Sequence, residues 1–351
     1  MTLDKNDSQK LKALAILFII LHNYLHLTNS IGENEFKLNS ERIFNLYLQI
    51  VDSPIGLLNY LFTYFGWYFI VIFIFITSYG FIIKIKNGEY IFNIVIIQAI
   101  KTTILLLIGA TFLFLLTKAN INETLTIVIR KILSFDNFSY QRVYTSVGSW
   151  WYFGLFFQLC IIIPTTYFLS KKINIYLMYS IIYCALIYIY IHNPSLSIFA
   201  TAFGHIPEVI FAIQVFNKNV VFNRKILFIS IFIFSLTNFY NFLFPFTYIT
   251  FLYLTMYSYS RIKHLLNKES INNALLFIGS ISPFLFITNG PIRDISIRIS
   301  KNITFESNIE IWQLVASLLH LFCVILIASI IYSITHSCIK KIVNKISQIF
   351  P

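Results

Sequence analysis

Long apolar runs separated by short polar stretches dominate this chain from end to end. A helix of about 20 apolar residues spans the hydrocarbon core of a bilayer. Ten such segments can be drawn: residues 11–27, 61–83, 102–117, 149–170, 173–191, 195–216, 226–238, 242–258, 274–288 and 312–334. The seventh and eighth are short and are separated by little more than Phe239 to Asn241, so a single re-entrant hairpin is the alternative for that pair. The expected fold is an all-α integral membrane protein, a bundle of about ten transmembrane helices around a polar cavity. It forms one membrane domain over residues 1–351, with loops at 28–60, 118–148 and 289–311. The first run lacks a small-residue cleavage site and reads as a retained signal anchor.

Composition sharpens this picture. Hydrophobic residues make up 58% of the chain and charged residues 11%, against roughly 25% charged in soluble domains. A chain this poor in charge cannot dress a water-exposed surface. Cys160, Cys184, Cys323 and Cys338 lack metal-ligand spacing and sit in or beside apolar runs, where Cys acts as a small hydrophobe.

The charges then sort by loop. With the amino terminus inside, seventeen of the 26 basic residues fall on cytoplasmic segments, facing only Asp4, Asp7, Glu89 and Glu269 there. The opposite face balances nine against nine, and Glu208 lies within a span. Basic residues crowd cytoplasmic loops, so both termini are expected to be cytoplasmic, in the plasma membrane. The net charge of +12 is thereby a topology signal. No nucleic-acid motif, Gly-rich phosphate loop or Ser-His-Asp spacing accompanies it.

Ionisable groups inside spans are costly and mark candidate chemistry. His22 and His26, four apart, share a face of the first span. His22 lies about 15 Å along the helix from Lys12, within reach of a cavity open to the basic face. In GHIPE, residues 204–208, His205 and Glu208 sit one turn apart with Pro207 breaking the ladder between them. Trp150 and Trp151 fall at an outer interface, where an aromatic belt or sugar stacking accounts for them. His320 reads as structural; His192, His264 and His336 take no role.

Four segments resemble, in order, the signatures of the membrane acyltransferase-3 family: KALAILFIILHNYLH (12–26), FGWYFIVIFIFITSYGFI (65–82), SWWYFGLFFQLCIIIP (149–164) and LLFIGSISPFLFITNGPI (275–292). The first is similar to that family's opening basic residue, apolar run and intramembrane His. The second carries its aromatic run into Ser78, Tyr79, Gly80 and Phe81. The third ends in Pro164, and the fourth holds Gly279-x-x-Ser282. The chain departs from the pattern in three places. Nine residues rather than ten separate Lys12 from His22, Gln98 and Lys101 stand where a pair of Arg is common, and Asn289 replaces a common His.

The resemblance implies transfer of an acyl group, an acetyl above all, from cytosolic acyl-CoA to a hydroxyl of a cell-surface glycan or its lipid-linked precursor. It implies His22 as the catalytic residue, either deprotonating the hydroxyl or carrying the acyl group. Lys10, Lys12, Lys84, Lys86 and Lys101 are the expected partners of the donor phosphates. His26, Trp150, Trp151, His205, Glu208 and Asn289 are the candidates on the acceptor side, with no metal. Two rivals remain open: a flippase for an anionic glycolipid, and a membrane glycan polymerase using Arg293 and Arg298 of the third loop. A tunnel from the basic face to His22 favours the enzyme. Single cysteines placed within residues 33–41 are expected to react with an impermeant reagent added outside intact cells. Labelling only after permeabilisation overturns this topology.

Overall fold

The computed structural model describes residues 3–29, 31–32, 35–117, 120–143, 147, 150–220, 222–302 and 309–349. Ser149, Lys118, Gly148 and Glu33, which bound expected spans, loops or labelling sites, lie outside the described residues. The described residues form helices α1 (Lys5–Leu25), α2 (Glu41–Asp52), α3 (Leu57–Phe65), α4 (Ile70–Lys86), α5 (Ile91–Thr117), α6 (Ile121–Leu133) and α7 (Tyr140–Val143). They continue with α8 (Trp151–Leu169), α9 (Ile175–His192), α10 (Ile206–Phe216), α11 (Arg224–Leu236), α12 (Thr247–Leu266), α13 (Glu269–Asn302) and α14 (Ile309–Ile349). Among them there is no strand, and Ser139 and Leu196 form one isolated bridge. Helices dominate because an apolar segment in lipid must satisfy its own backbone.

Among the described residues six helical stretches are long and apolar enough to cross a membrane: Pro54–Lys86, Ile91–Leu116, Trp151–Leu169, Ile175–His192, Glu269–Ser300 and Ile309–Gln348. The chain is therefore an all-α, multi-pass membrane protein. The other four expected spans contain helices, although Ile198–Ala200 and Ala202–His205 of the sixth and the start of the eighth up to Phe246 form 3-10 turns. Those helices are α1 and α12, which carry charges, and the shorter α10 and α11.

The three expected loops are corrected in part. The first contains α2 and the start of α3, and the second contains α6 and α7. The third begins inside α13, which stays helical to Asn302 through Pro283 and Pro291. Both α2 and α6 are amphipathic and too short to register as apolar runs. Helix α6 is anchored where Arg130 Nη2 donates to Asp136 Oδ1 at 2.6 Å. Beside it Lys131 is fully buried, 3.9 Å from Asp136 Oδ2. Burial pushes its ammonium down to about 8, and the Asp136 carboxylate only partly offsets this.

Helix α1 runs through the centre of the bundle. Asp4 and Asp7 cap its start reciprocally. The same Asp7 carboxylate, buried, accepts from Tyr259 Oη at 2.8 Å and Lys263 Nζ at 2.6 Å on α12. Helix α13 crosses α1 so closely that a Cβ on Gly279 overlaps the backbone of Gln9, which gives the Gly of the fourth signature a packing role. The start of α1 thus meets α12 and α13, and Lys12 shares a cavity with Lys84 of α4 and Lys101 of α5, gathering basic residues at one end. At the other end Gln313 donates to Thr28 O, Asn59 to Glu310 O and Tyr64 to Asn238 Oδ1.

This crossing yields a test. Gly279→Val is expected to destabilise the detergent-purified protein by at least about 2 kcal/mol, the scale of overpacking. Gly80→Val, at a position with open space around its Cβ, should leave thermal unfolding unchanged. Equal melting of the two variants contradicts the α1–α13 contact.

Candidate active site

A break in one helix organises the surroundings of His22. After α3 the chain tightens into a 3-10 turn, Gly66–Phe69, before α4 begins. A helix end leaves carbonyls without helical partners, and here those of Thr63 and Tyr64 turn to other donors. Gly66 makes the approach possible, since a Cβ there overlaps Phe18 O and His22 Cβ.

His22 is fully buried. Its Nδ1 lies 2.9 Å from Thr63 O and its Nε2 3.3 Å from Glu35 Oε1. A carbonyl only accepts, so Nδ1 carries a proton. A lone pair on Nε2 facing a bare carboxylate is repulsive. One proton therefore sits between Nε2 and Oε1, on either atom. The pair is a store for a single proton inside an apolar bundle.

Two further groups hold Glu35 in place. Tyr248 Oη donates to the Glu35 backbone carbonyl, and Trp67 Nε1 lies 3.5 Å from that hydroxyl. Arg42, 1% exposed, closes the segment. Its Nη2 donates to Thr63 O at 3.0 Å and Tyr64 O at 2.7 Å, its Nη1 to Tyr68 Oη and its Nε to Gly32 O. The guanidinium also lies 4.3 Å from the centroid of the Tyr64 ring. A cation at the carboxyl end of α3 is favoured by the helix dipole. Arg42 thereby clamps residues 35–42 over His22. His26 stacks on His22 at 4.9 Å and its Nδ1 donates to His22 O at 2.8 Å.

The lysines divide. Lys12, Lys84 and Lys101, with Gln98, line a cavity of about 330 Å³ at the basic end. Ser282 and Gly80 of the signatures are also in its wall. Lys10 is buried and donates to Asn267 Oδ1 instead, and Lys86 is exposed outside the cavity. These two are not brought to the site expected of them, because α1 and α4 turn them to other faces.

The cavity does not reach His22. Phe73, Tyr152 and Phe286 line its wall, with Tyr152 and Phe286 stacked at 5.1 Å. Beyond them Trp151 packs on Trp67 at 5.2 Å, and Trp67 on His22 at 6.1 Å. Phe36 meets both indoles edge-on. An aromatic layer thus separates the lysine cavity from the His22–Glu35 pair, where an open tunnel was expected.

The remaining candidates sit apart from the cavity. His205 Nε2 donates to Phe199 O at 2.9 Å and its Nδ1 faces Glu208 Oε2 at 3.3 Å, both residues buried. Pro207 lies in the first turn of α10 and does not break a helix midway. Tyr248 lies edge-on to His205 at 5.1 Å and so touches both histidine–carboxylate pairs. Trp150 and Trp151 are buried in the core, not exposed at an interface; Trp150 packs on Gly109 and donates to Ile287 O. Asn289 is buried, and its Oδ1 lies 3.1 Å from His320 Nε2. An imidazole therefore does stand beside position 289, supplied by α14. Among the described residues no group of His, Cys, Asp or Glu is arranged to hold a metal.

Comparison with known proteins gives no match: no family model, no curated protein and no solved structure matches the chain.

The clamp is testable. Arg42→Ala is expected to cost about 2–3 kcal/mol, as a charged donor lost from buried acceptors does. It should also raise hydrogen exchange at residues 35–40. Arg42→Lys, lacking the fork, should not restore protection. Unchanged exchange in Arg42→Ala contradicts the clamp.

Proposed function

We propose that this protein is a membrane O-acyltransferase that moves an acyl group, an acetyl above all, from acyl-CoA to a hydroxyl of a cell-surface glycan or its lipid-linked precursor. In this reading the chain crosses the plasma membrane ten times with both termini cytoplasmic. The observation that carries it is the pairing of a lysine-rimmed cavity with the buried His22–Glu35 pair, Lys12 of the one and His22 of the other standing on the same helix α1.

The two sites suit the two halves of such a donor. Lys12, Lys84 and Lys101 meet phosphates as point charges, while the apolar depth suits the thioester arm. Lys12 and His22 are about 15 Å apart along α1, a distance the arm must bridge as the aromatic layer parts. At the far end the acceptor oxygen attacks the thioester carbon and the C–S bond breaks. The hydroxyl proton passes to the His22–Glu35 pair as the proton already held between Nε2 and Oε1 passes to the leaving thiolate, so the pair ends with the one proton it began with. His22 acts either as this base or as the first acyl acceptor, passing the acyl group on to the hydroxyl. Glu35 serves both routes by holding the second proton position.

His22→Ala is expected to lower acylation of the surface glycan by about a hundredfold or more, with insertion and size-exclusion behaviour retained. Lys12→Ala and Lys101→Ala should each raise the donor KM about fivefold, corresponding to ~1 kcal/mol. Lys86→Ala and Lys340→Ala should leave it unchanged. Full acylation with His22→Ala overturns the assignment, and equal KM changes at Lys12 and Lys340 remove the donor site.

A further inference from the structure

Helix α2 is apolar on two faces, and protein covers only one of them. Arg42 points into the bundle, and Leu46 and Ile50 pack on Ile31, Tyr60 and Tyr64. On the opposite side Phe44, Tyr47, Leu48 and Val51 are exposed, Phe44 at 59% and Tyr47 at 62%. Their spacing of i, i+3, i+4 and i+7 makes one continuous stripe. At 3.6 residues per turn its centre lies roughly opposite Arg42.

What covers the stripe follows from where it leads. Past Asp52 the exposed apolar residues resume at Ile55, Leu57 and Leu58, 60%, 42% and 54% exposed. These residues open the Pro54–Lys86 stretch, which is apolar enough to cross a membrane. The outer side of a spanning helix is solvated by acyl chains, and the stripe leads directly into that stretch along the chain. Exposed Glu41 and Asp52 mark the two ends of the helix. A stripe of this kind on a short helix with a polar flank is the pattern of helices that lie in a membrane interface.

We infer that α2 lies along the membrane surface at the His22 end of the bundle, with Phe44, Tyr47, Leu48 and Val51 immersed among lipid acyl chains. The inference requires only that the chain is a membrane protein and is independent of the acyltransferase reading. It has a structural consequence. The bilayer presses on α2 from outside while Arg42 holds it from within, so lipid forms the back wall of the segment that presents Glu35 to His22.

The test uses the full chain in phosphatidylcholine–phosphatidylglycerol nanodiscs, with the four native cysteines replaced. Nitroxide labels are placed singly through Phe44→Cys, Tyr47→Cys, Val51→Cys, Glu41→Cys and Asp52→Cys. At positions 44, 47 and 51 collision with oxygen should exceed collision with a water-soluble nickel chelate severalfold. At 41 and 52 the order should reverse. Equal nickel access at all five positions, the result for an aqueous lid, overturns the inference, as does dipolar broadening from a second copy. A benzophenone amino acid at Tyr47 in the native-cysteine protein gives a second readout. It should cross-link phospholipid, and its failure to do so, or capture of a second copy, is contrary.

Discussion

A polar side chain inside an apolar bundle persists only if its neighbours complete its hydrogen bonds, and His22 imposes that requirement on much of the chain around it. The requirement is met by ending α3 one turn early. The break frees the carbonyls of Thr63 and Tyr64, Gly66 lets the turn touch α1, and the freed carbonyls draw in His22 Nδ1 and Arg42. Arg42 brings α2 with it, and the segment before α2 brings Glu35 to Nε2. Tyr248 on α12 and Trp67 on the turn complete the shell. Each element is placed by an unpaired polar atom on another.

The two ends of α1 are built for different chemistry. Its start is basic, tied to α12 through Asp7 and Lys263, and opens on a cavity with lysines at the rim. Its end is enclosed by aromatic rings and residues 35–42. The rings of Phe73, Tyr152, Phe286, Trp67 and Trp151 keep the two apart. For the proposed transfer this layer is the moving part: it must part to admit a thioester and close to exclude water. In that transfer the His22–Glu35 pair gives the far end a proton relay that needs no solvent.

The membrane character was legible because apolar run length is a strong signal, and six helices meet it. The clustering of Lys12, Lys84 and Lys101 was legible from their places at span ends. Lys10 and Lys86 show the limit of that reasoning. Run boundaries place a residue at a depth but say nothing of its direction around the helix. Glu35 and Arg42 were not legible as site residues. They stood in an outer loop, counted only in a charge balance, and nothing local marks a loop that folds inward. Asn289 was read as a departure from a pattern, yet His320 supplies the neighbouring imidazole from another helix. Helix α2 went unseen because its pattern is amphipathic and twelve residues long, below the scale of a spanning run.

The central claim is that an acyl donor enters at the lysine end and is used at the His22 end. Membrane vesicles of defined orientation test it, given radiolabelled acetyl-CoA from outside. The account predicts that label enters the glycan or glycolipid fraction of inside-out vesicles, and that right-side-out vesicles stay unlabelled. Equal labelling in both orientations, or labelling confined to right-side-out vesicles, contradicts it.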